Sequence, residues 1–105
     1  MLINKATELE ENDLITFKLV TNDEIMARLV SQDENEYVIS DPHYLIPNQN
    51  GMAIVPYIMT AEVTKPLRLK KSHVIFAVHT RKEIEPAFIK ATTGIETPVN
   101  KIVKT

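Results

Sequence analysis

The chain contains no cysteine in its 105 residues. Disulfides, thiolate nucleophiles and cysteine-ligated zinc are excluded together, and a reducing compartment fits the absence. Only two glycines occur, Gly51 and Gly94, so no glycine-rich loop exists to cradle a phosphate. Long apolar runs are lacking too. The longest, residues 52–59 and 74–78, are strand-sized and fall short of the roughly 18 residues a membrane span needs. The opening residues Met1-Leu2-Ile3-Asn4-Lys5 lack the apolar stretch of a signal peptide. The expectation is a cytoplasmic protein with no membrane partner.

What is present suits a single domain. Apolar residues make up 44% and charged residues 25%, an ordinary soluble balance. A core of this size is modest, so burial through assembly would add to it. The net charge of −2 hides an asymmetry. Residues 1–41 carry ten acids against three bases. Residues 65–82 carry six bases (Lys65, Arg68, Lys70, Lys71, Arg81 and Lys82) and no acid. Such a stretch attracts an anion such as nucleic acid, or serves as a solvated or inter-subunit face.

The pattern along the chain is mainly β. Residues 3–12 read as a short helix, with Ala6 and Leu9 on one face. Residues 14–20 alternate, with Ile15, Phe17 and Leu19 on one face and Thr16 and Lys18 on the other, as a half-buried strand does. Residues 25–31 form a second strand, with Ile25, Ala27 and Leu29 facing one way. A third strand covers 37–40, and two ends are open for it: at Ser40, or past Pro42 at 45 or 46. Asn48-Gln49-Asn50-Gly51 is a turn. A fourth strand is expected over 52–60, at an edge or bulged because it contains Pro56. Residues 65–71 are a basic connector or short strand, and 73–80 the last strand. A helix follows over 81–93, softly broken by Pro86 and ended by Gly94. Residues 1–94 then form one domain, a small bent antiparallel sheet or open barrel, with 95–105 as a flexible tail.

Residues 15–46, ITFKLVTNDEIMARLVSQDENEYVISDPHYLI, resemble the first motif of the Sm and Sm-like proteins, the Sm/Hfq superfamily. Ile15, Phe17, Leu19, Ile25, Leu29, Val38 and Ile39 fall at the family's apolar positions, and Asp33 at its loop aspartate. Within 69–80, Leu69-Lys70-Lys71-Ser72-His73-Val74-Ile75 resembles the second motif, with Lys70-Lys71 in place of Arg-Gly. The acidic core and helical extension are similar to phage-encoded Sm-like proteins, those of cyanophages included, which implies a host cytoplasm. The resemblance implies a strongly bent five-stranded sheet whose fourth strand pairs with the fifth strand of the next copy. Ile54, Val55, Ile58, Val74, Phe76 and Val78 would line those two edges. A homo-oligomeric ring of about five to seven copies follows from closing such heterologous contacts.

The resemblance also implies a nucleic-acid site at Asp33, Tyr37, Lys70 and Lys71. Three of its features depart from the family. Tyr37 stands where the family has a base-binding Asn; it offers a stacking face but no amide. Lys70 replaces a planar Arg by a point charge. Ala27 replaces a small Gly, a mild change.

No catalytic constellation assembles. His43, His73 and His79 have no recognised metal-ligand spacing. His73 and His79, six apart, could share a strand face, while Ser72 and His73 are adjacent and would point apart on a strand. The acidic pairs sit in turns or a helix, where solvation accounts for them. The expectation is a non-enzyme without metal or cofactor. Two roles compete: a ring binding RNA or single-stranded nucleic acid, and a structural or protein-interaction ring of viral origin.

Overall fold

A computed structural model describes residues 8–62 and 64–94. They form one open antiparallel sheet of six strands with a short helix after it. The strands are β1 (Leu14–Leu19), β2 (Glu24–Gln32), β3 (Glu36–Asn48), β4 (Gly51–Pro56), β5 (Leu67–Lys70) and β6 (Val74–His79). The spatial order is β4-β3-β2-β1-β6, and β5 also pairs with β3. No helix among the described residues is long and apolar enough to cross a membrane.

β3 organises the sheet. Along one side it pairs with β2, from Gln32↔Tyr37 to Met26↔His43. Along the other it pairs first with β5, Glu36↔Lys70 to Ile39↔Leu67, and then with β4, His43↔Pro56 to Asn48↔Gly51. Between those partners Asp41 has φ 55, a left-handed conformation that a short polar side chain tolerates. Pro42 follows, with no N–H to offer a ladder. The register with β2 shifts twice, between Met26/Arg28 and between Leu29/Ser31. Irregularities of this kind increase local twist and bend a sheet.

The alternation in β1 and β2 separates two faces. Ile15, Phe17, Leu19, Ile25, Ala27, Leu29 and Ile39 form the larger core. Leu14 and Met26, at the opposite phase, are buried on the other face by Phe88. Phe88 comes from α1 (Glu85–Thr93), which follows a 3-10 turn over Lys82–Ile84. Pro86 lies in the first turn of α1, where its missing N–H costs no hydrogen bond and its fixed φ suits the helix. It therefore starts the helix that the sequence pattern had it interrupt. Gly94 ends α1 at φ 74, the left-handed cap glycine favours.

Three further expectations change. The described part of the expected 3–12 helix is not helical: residues 8–12 form a bend and turn, with Asn12 at φ 76 and the Asp13 N–H bonded to the Glu10 carbonyl at 3.0 Å. Residues 3–7 and the tail 95–105 lie outside the described residues. β4 stops at Pro56 instead of reaching 60, so Ile58 lies past the strand. The strand count is six among the described residues where the resemblance implies five, because the basic stretch 65–71 takes the strand form of its two expected forms, as β5.

Candidate functional site

Two turns far apart in sequence meet at one end of the sheet. The β2–β3 turn carries Asp33, Glu34 and Asn35. The β5–β6 connection is a 3-10 turn, Lys71–His73. The β3–β5 ladder brings them together by setting Glu36 opposite Lys70 and Tyr37 opposite Leu69. A backbone hydrogen bond from the Lys71 N–H to the Asn35 carbonyl, 2.8 Å, closes the junction. The result is an open cleft of about 510 Å3 lined by Asp33–Glu36 and Lys70–Ser72. All four residues singled out in the sequence, Asp33, Tyr37, Lys70 and Lys71, lie in or beside it.

Two of the three acids in the cleft are engaged. Asp33 Oδ1 accepts the backbone N–H groups of Asn35 and Glu36, both at 2.8 Å. Those two bonds hold its carboxyl below the usual carboxylate range. Asp33 therefore fixes the turn. Glu36 takes the Arg68 guanidinium at 2.9 Å, in a solvent-facing pair worth about 0–1 kcal/mol. Glu34 and Lys70 make no ion pair among the described residues.

Tyr37 is less open than its sequence position implies. Phe17 meets its ring edge-on at a centroid distance of 5.0 Å. The Lys71 ammonium lies 4.8 Å from the ring centroid. Lys71 Nζ also donates to Gln32 Oε1 at 2.8 Å. Gln32 is not among the sequence candidates, and Arg68 is there only as one of the six bases of 65–82. Gln32 faces Tyr37 across the β2–β3 ladder, a neighbour that only the register reveals.

The basic stretch 65–82 is not one patch. β6 divides it, so that Lys70 and Lys71 precede the strand while Arg81 and Lys82 follow it. Arg81 pairs with Glu83 at 3.5 Å.

The edges are the second notable feature. Among the described residues, β6 is bonded to β1 alone, and β4 and β5 to β3 alone. Ile54 and Val55 are half-buried on β4. On β6, Val74 is half-buried, while Ile75, Phe76 and Val78 are exposed.

The histidines go to separate places. His43 is buried, its Nδ1 2.8 Å from the Asp41 carbonyl and its ring edge-on to Phe88. His73 sits in the 3-10 turn, off the strand that was expected to carry it beside His79. His79 Nε2 lies 3.0 Å from Asp13. No protein-family model matches the sequence, and no curated protein matches it significantly.

Proposed function

We propose that the chain is a non-enzymatic, Sm-like module that forms a homo-oligomeric ring through its sheet edges and binds single-stranded nucleic acid, RNA above all, in the cleft of Asp33, Tyr37, Lys70 and Lys71. The observation that carries this reading is the convergence of the two turns on one cleft. The residues of the two motif-like segments are more than thirty positions apart, yet they share a ladder and a backbone hydrogen bond. The edges support the ring. Free strands lie at both ends of the strand order, so one copy's β6 can pair with the β4 or β5 edge of the next. That contact is heterologous and closes by rotation, as rings of about five to seven copies do.

In this reading Lys70 and Lys71 meet phosphate, and Tyr37 supplies a stacking face worth about 1–3 kcal/mol per base. The test is binding of labelled oligouridylate and oligoadenylate by fluorescence anisotropy across a salt series. The expected result is salt-sensitive binding that weakens in the K70A/K71A variant. Absence of binding at low salt, with the assembly intact, rejects it.

One observation favours a second reading, a structural or protein-interaction ring of viral origin. The cleft holds three carboxylates beside its two lysines, and Glu36 already occupies Arg68. A purified ring whose ultraviolet absorbance shows no co-purified nucleic acid, and which binds neither oligonucleotide, fits that reading.

A further inference from the structure

Lys71 occupies the place where a base would stack. Its ammonium is over the Tyr37 ring at 4.8 Å and is held there by Gln32 Oε1 at 2.8 Å. The Lys71 backbone is fixed separately, through its N–H to the Asn35 carbonyl. The side chain can therefore swing while the turn stays in place. Phe17 supports the ring edge from inside the core, so Tyr37 itself is braced. Beyond the ring lies the open cleft with Lys70 and Ser72.

We infer that Lys71 is a displaceable cover on Tyr37, and that Gln32 is the positioning residue that holds the cover shut. Single-stranded nucleic acid opens it by exchange. A base takes the ring face, and the released ammonium moves out to the adjoining phosphate. Neither a free cation nor an aromatic face is then left unmatched in either state. The interaction is attractive in both states, because a cation over an aromatic ring and a base on it each have favourable contacts. Gln32 sets the balance between them. This inference rests on the nucleic-acid reading above and adds to it a closed free state and a residue that controls it.

The test uses the full chain and labelled oligouridylate. Gln32→Leu removes the tether but keeps the side chain's bulk. It should tighten binding about three- to tenfold, because the tether no longer competes with phosphate. Its salt dependence should match that of the unsubstituted protein. Lys71→Ala should lower the slope of log affinity against log salt by about one phosphate contact. Tyr37→Leu should weaken binding. A second readout needs no variant. In the free protein the Lys71 side-chain methylene protons should be shifted upfield by the Tyr37 ring in proton NMR, and saturating oligouridylate should relieve that shift. Binding by the unsubstituted protein with unchanged or weaker binding by Gln32→Leu overturns the cover. So does binding that leaves the Lys71 signals unmoved. Failure of every variant and of the unsubstituted protein to bind overturns the nucleic-acid reading, and the cover with it.

Discussion

β1 and β6 are neighbours in the sheet, yet they treat apolar side chains in opposite ways. β1, LITFKL, buries Leu14, Ile15, Phe17 and Leu19. β6, VIFAVH, buries none of its residues. Phe17 is 0% exposed and Phe76 is 50% exposed. The ladder explains part of the contrast. Val78 stands opposite Thr16, and Phe76 opposite Lys18, so β6 is apolar on the face where β1 is polar. α1 does not reach this far across that face; the buried residues it covers are Leu14 and Met26. Burial among the described residues therefore does not account for the side chains of β6. Apolar groups left along a free edge favour another strand, which is why the proposed assembly runs through β6.

Matched substitutions break this comparison most directly. Phe17→Ala removes a fully buried ring and should cost about 3–5 kcal/mol of folding stability in urea unfolding. Phe76→Asp should change the stability of the single chain by no more than about 0.5 kcal/mol, while reducing the particle seen by light scattering to one chain. If Phe76→Asp destabilises the fold as Phe17→Ala does, Phe76 belongs to the chain's own core and the contrast fails. Smaller in effect, K70A/K71A should leave both stability and assembly intact and lower the salt slope of oligonucleotide binding by about two.

The smallest effect expected is with acid. Asp13, Asp23 and Asp33 are each held below the usual carboxylate range, chiefly by hydrogen bonds from the Glu10 N–H, the Thr21 hydroxyl and the Asn35 N–H respectively. A folded-state value below the unfolded value of about 3.9 means that the unfolded chain binds more protons at low pH. The stabilisation is complete above that value and is lost as pH falls through the folded-state values. Thermal unfolding should be flat from about pH 7 to 5 and should fall below about pH 4. Asp33→Asn should flatten the fall slightly without moving the mass of the assembly.

Much of this sheet was legible in the residues. The alternation of Ile15, Phe17 and Leu19 with Thr16 and Lys18 reports directly which face is buried. Asn48–Gly51 marked the β3–β4 hairpin that forms there. Asp33, Tyr37, Lys70 and Lys71 were legible as candidates, and the structure places them in or beside one cleft. What escaped depends on partners distant in sequence. Pro56 ends β4 because a strand cannot draw a donor from proline, but only the pairing with His43 shows that this is the last step of the ladder. Pro86 reads as a breaker until the helix start is placed at Glu85, after the 3-10 turn Lys82–Ile84, where it becomes an initiating residue. The Lys71 contact with Tyr37 needs the register of three strands at once, and no local pattern encodes it.

The mass of the full chain in solution tests the central claim most directly, by size-exclusion chromatography with light scattering at micromolar concentration. A closed ring gives a single species of about five to seven times the 11.9 kDa chain. A species of 11.9 kDa would contradict it, because the apolar side chains of β6 would then stand in water with no second copy to cover them.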